Sequence, residues 1–263
     1  MIDNIIIGQY VKSDSFIHKL DPRTKIILNI VYILGVFFID DIKGYLAYFL
    51  IVFFVSFSSK IKIYHLLKAL KTISMFIILT SLFNVFFIKE GNIIFNVGFL
   101  KIYDKALITS IFISFRVIFL ILGSTILTLT TSPTELTDGF ESLMKPLRKL
   151  KVPVGEISLM ISISLRFIPT LLDETDKIIK AQKSRGVDFE SGSIVKKIKN
   201  IVPILVPLFI NSFRRADELA IAMESRCYQG SENRFKFRVL KFTRNDFISF
   251  IVFISLIVLT SFI

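Results

Sequence analysis

The apolar positions of this chain fall into long runs rather than alternating. Runs at residues 26–39, 44–57, 65–87, 105–129 and 247–263 are greasy on all sides, which predicts buried or lipid-facing helices and not strands with one wet face. The longer ones approach or exceed the roughly 18 apolar residues of a membrane-spanning helix. The first two have about fourteen residues each, or about 21 Å of helix, so they must tilt, recruit flanking residues or cross a thin bilayer. Asp40-Asp41-Ile42-Lys43 forms the turn between them.

At Ser132 the pattern changes. Ser132-Pro133-Thr134-Glu135 supplies an N-cap serine, a proline at the first helical position and a glutamate placed to complete a capping box. Leu136, Phe140, Leu143, Leu147 and Leu150 then share one stripe, with Lys145, Arg148 and Lys149 off it, as in a helix lying on a membrane surface or on partner helices. Pro146 kinks or ends that helix. A second helix is expected from Val152-Pro153 to Arg185, bent at Pro169 and stopped by Gly186. Its roughly 33 residues would reach about 50 Å, beyond the hydrocarbon thickness of about 30 Å, so it must lean across the interface or project into the cytoplasm. A third helix is expected from about Ser193 to Arg226, softened by Pro203 and Pro207. On it Phe209, Phe213, Ala216, Ala220 and Met223 keep a three-four spacing, the seam of one helix packed on another, with two alanines permitting a close crossing.

The predicted fold class is therefore an all-α integral membrane protein, with about five membrane helices plus two to three long helices outside the bilayer, two of them crossed. The organisation is an N-terminal segment at 1–25, membrane helices 1–4 at 26–131, a long helical region at 132–242 and a C-terminal membrane helix at 243–263. Composition agrees with the solvent: 53% of residues are hydrophobic, 28 are Phe, and the mean hydropathy is +0.67. The net charge of +12 sits between apolar runs, where it reads as cytoplasmic loops beside anionic lipid and not as a nucleic-acid surface. Residues 58–71 carry Lys60, Lys62, Lys68 and Lys71 without an acid, and 132–246 carry 20 Lys plus Arg against 14 Asp plus Glu. Positive loops stay inside, so the N-terminus and the long helical region are expected in the cytoplasm and the C-terminus outside. No leader pattern is apparent at the start. One cysteine excludes an intrachain disulfide, and two isolated histidines make no metal site. No Gly-x-x-x-x-Gly-Lys-Ser/Thr loop occurs, so no usual ATP cradle is present. No catalytic constellation is expected either.

Two short stretches read almost as copies: Ala181-Gln182-Lys183-Ser184-Arg185-Gly186 and Ala222-Met223-Glu224-Ser225-Arg226-Cys227, with the arginines 41 residues apart. A single Ser-Arg is explained by a cation beside the unpaired carbonyls of a helix end. The duplication points instead to two similar plugs for two similar sockets. Arg116 stands in an otherwise apolar run, where a charge costs at least about 2.5 kcal/mol and needs a partner; Glu156, also in an apolar stretch, is the candidate. Asp21-Pro22-Arg23 is read mainly as an N-cap followed by proline.

The stretches Ser15-Phe16-Ile17-His18-Lys19-Leu20-Asp21-Pro22-Arg23-Thr24-Lys25, Pro146-Leu147-Arg148-Lys149-Leu150-Lys151-Val152-Pro153, Leu165-Arg166-Phe167-Ile168-Pro169 and Lys183-Ser184-Arg185-Gly186 resemble the transmembrane T component of energy-coupling-factor (ECF) transporters over essentially the whole chain. The resemblance implies a non-catalytic subunit in a bacterial cell membrane. Its partners would be two ABC ATPases, which bind ATP and Mg, and a membrane S component that binds a vitamin; the chain itself would hold no cofactor. It implies docking of Ser184, Arg185, Gly186 and Ser225, Arg226, Cys227 in grooves of the ATPases, with Cys227 standing where the family often has glycine. A T component dedicated to cobalt, nickel or biotin, and from another class a stand-alone permease, are the alternatives. The scarcity of polar residues in the membrane part and the lack of an inverted repeat count against the permease.

Overall fold

The computed structural model describes residues 10–39, 41–97, 100–189, 193–230 and 240–261. Asp40 of the first turn, Gly192, and parts of both terminal segments lie outside these. The described residues are mainly helical: α1 (Pro22–Phe37), α2 (Ile42–Ser59), α3 (Ile63–Phe87), α4 (Asp104–Thr130), α5 (Pro133–Met144), α6 (Val154–Ser184), α7 (Ile194–Glu224) and α8 (Arg244–Ser261). One departure from an all-α chain is a small antiparallel hairpin, β1 (Ile93–Val97) and β2 (Leu100–Tyr103), with Asn96 opposite Lys101 and Val97 opposite Leu100. The β-branched Ile93, Ile94 and Val97 favour extended backbone. Asp104 ties the hairpin to α4 by accepting from the Asn92 and Lys105 amides at 2.9 and 2.6 Å.

The chain divides into two compact units. In the unit built from residues 10–142 and 240–261, α4 is the central element: it packs against α1, α2 and α3, and α8 closes on α1 and α2. Its buried residues Phe119, Leu122, Gly123, Ile126, Leu129 and Thr130 recur at three-four spacing, so one face of an otherwise greasy helix is turned inward. Tyr32, Val36, Tyr45, Tyr48 and Val52 meet that face. Gly123 is required there, because a Cβ would lie 2.4 Å from Cε1 of Tyr32. The Tyr32 hydroxyl donates to the Phe119 carbonyl at 3.0 Å, satisfying its polar tip within the core.

Among the described residues four helices are long and apolar enough to cross a membrane: α2, α3, α4 and α6. Helix α3 is decisive for the solvent. Among its 25 residues only Leu66 is buried, and Met75 and Phe87 are 80% and 75% exposed. An apolar helix with no buried face is stable only where its surroundings are themselves apolar. Two of the five expected spans, α1 and α8, are not among the four; α1, at 16 residues, is short. Helix α6, expected to lean across the interface or project into the cytoplasm, joins the four by its length and composition.

The other unit, described between residues 143 and 230, holds a 3-10 segment (Lys145–Leu150), α6 and α7. The 3-10 segment takes over where Pro146 stops α5, and ends at Lys151 in the left-handed region, φ 61°. Pro169 lies inside α6, and Pro203 and Pro207 inside α7, without ending either 31-residue helix.

Candidate docking site at two helix ends

The two Ala-x-x-Ser-Arg stretches fold into the same terminating turn. At the end of α6 the Gly186 amide donates to Lys183 O at 3.0 Å and the Val187 amide to Gln182 O at 3.1 Å; at the end of α7 the Cys227 amide donates to Glu224 O at 2.9 Å and the Tyr228 amide to Met223 O at 3.1 Å. This is the paired bonding of a Schellman motif, which satisfies the orphan carbonyls of the last turn. The corner residue is left-handed both times, Gly186 at φ 85° and Cys227 at 58°. Glycine takes that conformation freely and cysteine at a cost, so the sequence departure at Cys227 leaves the turn intact.

The serine hydroxyls fold back onto their own helices. Ser184 Oγ donates to Lys180 O at 3.1 Å and Ser225 Oγ to Ala222 O at 3.0 Å. Each hydroxyl proton is thus used within its own helix. The group each end offers outward is the arginine: Arg185 and Arg226 are exposed, and neither guanidinium has a hydrogen-bond or ion-pair partner among the described residues.

The expected seam residues divide. Ala216, Ala220 and Met223 face α6 across a pocket of about 260 Å³ whose other wall includes Ile163, Phe167 and Leu171. Phe209 and Phe213 are exposed, their rings edge to face at 4.9 Å. Beside the pocket is a polar tie that sequence reading missed. Arg215 Nη2 donates to Glu174 Oε2 at 2.9 Å, and Asn211 Nδ2 donates to the other carboxylate oxygen. Its sequence signal is positional: Glu174 and Arg215 each stand eleven residues before Arg185 and Arg226.

Arg116 Nη2 donates to the Ile39 and Phe37 carbonyls at 3.1 and 3.5 Å, beside the Phe37 ring at 5.7 Å. The charge meets the negative end of α1, a partner without a residue-type signature.

Asp21-Pro22-Arg23 does more than cap α1. Asp21 accepts from the Arg23 amide at 2.9 Å and pairs with the guanidinium through both oxygens, at 3.0 and 2.9 Å. Arg23 lies 3.9 Å over the Phe242 ring. The Asp21 amide donates to Asp246 Oδ1 at 2.8 Å, joining the start of α1 to the start of α8. Asp246, buried, also accepts from the Thr243 amide at 2.8 Å and its hydroxyl at 2.6 Å. Burial alone would raise its carboxyl pKa; these hydrogen bonds outweigh burial and hold it below the usual range. Lys25, just ahead of the apolar run at 26–39, donates to the His18 and Thr130 carbonyls at 3.1 and 3.0 Å, and burial pushes it down to about 8 against the pull of Glu135, Asp246 and Asp21. His18 Nε2 donates to Val11 O at 2.9 Å, leaving Nδ1 to accept from Ser15 at 2.7 Å; burial lowers its pKa and favours this neutral form.

Comparison with known proteins decides the family. Residues 13–237 match the CbiQ family model, described as cobalt transport protein. The chain is 50% identical over 250 residues to the energy-coupling factor transporter transmembrane protein EcfT of Clostridium kluyveri, covering 95% of this chain and 93% of that one. It is 49% identical to the EcfT of Bacillus subtilis, covering 99% and 97%, and 48% identical to that of Streptococcus thermophilus, covering 97% of each. The chain belongs to the EcfT family. It is accordingly a multi-pass membrane component of an ECF transporter, and the stretches that carry the resemblance fall on the approach to α1 and its first turn, on the 3-10 segment between α5 and α6, and on α6 with its terminating turn.

Proposed function

We propose that this chain is the non-catalytic coupling subunit of an ATP-driven vitamin importer, passing the motion of two cytoplasmic ATPases to a substrate-binding S component. The observation that carries this reading is the pair of matched helix ends, each with one exposed arginine that has no partner among the described residues. Two equivalent tips suit two equivalent sockets. A guanidinium in each ATPase groove would meet a carboxylate through two parallel hydrogen bonds, a geometry a lysine cannot reproduce. ATP and Mg belong to the ATPases; when ATP closes them, the tips of α6 and α7 move with their sockets, and the helices carry that motion to the surface where the S component rests. In this reading the apolar runs at residues 26–39, 44–57, 65–87, 105–129 and 247–263 span the membrane, α5 to α7 work at its cytoplasmic side, the N-terminus is cytoplasmic and the C-terminus outside. The apolar first half of α6 lies against the membrane and its charged second half projects from it. Ser132-Pro133-Thr134-Glu135 and Lys183-Ser184-Arg185-Gly186 favour a shared vitamin module over a T component dedicated to a metal.

The test is the double variant Arg185→Ala with Arg226→Ala. Each truncation is expected to cost about 2–5 kcal/mol of docking free energy, so the double variant should insert in the membrane, fail to co-purify with the ATPases and fail to support vitamin uptake. Arg→Lys at either position should rescue in part. Normal co-purification and uptake by the double variant would reduce both motifs to helix caps.

A further inference from the structure

Glu174 and Arg215 stand in the same relation to each other as the two docking arginines. The members of each pair are 41 residues apart, and each lies eleven residues before its own arginine. The tie therefore joins equivalent points of two matched helices, about 16 Å along the axis from each tip. It is two-pronged: one carboxylate oxygen takes Arg215 at 2.9 Å and the other takes Asn211, one turn earlier on α7. A carboxylate held at both oxygens by groups on successive turns fixes both the separation of the helices and the register of one along the other.

Packing alone would fix them poorly here. Next to the tie, where a close-packed seam would otherwise set the geometry, α6 and α7 leave the apolar pocket of about 260 Å³ lined by Phe167, Leu171, Ala216 and Ala220. Interiors transmit displacement because they are dense, and an open cleft between two helices does not. The two side chains are also only partly withdrawn from solvent, Glu174 at 17% and Arg215 at 34% exposure, which makes the pair an unremarkable source of stability. Its value is geometric.

We infer that Glu174, Arg215 and Asn211 are positioning residues for coupling: they pin α6 to α7 at one point, so that displacement of the arginine tips cannot be taken up by one helix sliding along the other. This inference rests on the proposed coupling function and deepens it. Without the tie, each tip would still be gripped by its ATPase, but ATP-driven closure would be absorbed by sliding of the helices over the pocket.

The experiment uses the complete transporter with both ATPases and the S component, reconstituted in vesicles, and reads three quantities: ATPases retained on purification, ATP hydrolysis, and vitamin taken up per ATP hydrolysed. Glu174→Ala and Arg215→Ala should each retain both ATPases and hydrolyse ATP, while uptake per ATP falls at least fivefold. The exchanged pair Glu174→Arg with Arg215→Glu should recover at least half of the loss, and the milder Arg215→Lys should lie between wild type and Arg215→Ala. An unchanged uptake per ATP in the single variants overturns the inference, as does a loss that the exchange leaves uncorrected. Release of the ATPases by these variants would assign the residues to docking, again against it. Failure of the docking reading is distinct, because it is seen in Arg185→Ala with Arg226→Ala while the tie is untouched.

Discussion

Asp246 shows how much one buried carboxylate can hold. It accepts from the Asp21 amide, the Thr243 amide and the Thr243 hydroxyl, all at 2.8 Å or less, at a position 1% exposed. Removing it leaves three donors without their acceptor, the Asp21 amide among them in a buried contact, so Asp246→Ala is expected to cost about 2–4 kcal/mol. Thermal unfolding of the purified complex measures this, and a change below about 0.5 kcal/mol would contradict the junction described. The same hydrogen bonds give the cost a pH dependence. Because the folded pKa is depressed, the contribution is complete above the ordinary carboxylate pKa of about 4 and is lost as pH falls through the folded value. The stability difference between wild type and Asp246→Ala should accordingly shrink on acidification below about pH 4.

Among the elements, α6 and α7 are the pair whose contact was harder to foresee. The three-four spacing of Phe209, Phe213, Ala216, Ala220 and Met223 marks an apolar stripe, but only its alanine-methionine end lines the cleft against α6, and there Ala216 and Ala220 are still exposed; the two phenylalanines do not line it. A stripe shows which face is greasy and not what covers it. The pocket changes the expected effect of a larger side chain at the alanines. Ala220→Leu places apolar groups in existing space, at about 0.8 kcal/mol per buried methylene before the entropy of ordering is deducted, so a gain of about 1 kcal/mol is expected in thermal unfolding. A loss would show that the helices leave no usable room there.

The whole molecule is tested by which side of the membrane each part faces. A cysteine at Glu90, beside the hairpin, should react with an impermeant maleimide added to intact cells, and one at Lys199, near the start of α7, only after permeabilisation. The background for both is Cys227→Gly, because Cys227 is exposed and its left-handed backbone suits glycine. The reverse pattern would overturn the orientation drawn from the lysines at 60, 62, 68 and 71.

The chain by itself determined what depends on local chemistry. The capping box is present as read, with the Glu135 amide donating to Ser132 Oγ at 3.3 Å and the Ser132 amide to Glu135 at 3.4 Å. The Ser193 cap of α7 is present too, as is the glycine turn at Gly186. These follow from a few neighbouring residues whose backbone preferences and side-chain reach are fixed by their chemistry. The near-copy of two stretches was also visible, because identity of sequence needs no fold to be seen. Folding alone set the carbonyl contacts of Arg116 and the partners of Asp21 and Glu174. Two of them are met by backbone groups, the Ile39 carbonyl by Arg116 and the Asp246 carboxylate by the amide of Asp21, 225 residues away in sequence. Backbone donors and acceptors are the same at almost every residue, so no pattern of side chains announces which one will be used. Glu174 and Arg215 did leave a trace in their shared offset of 41 residues. What turned that offset into a contact was the folding of α6 and α7 onto one another, which sets the distance between two charges that spacing alone leaves open.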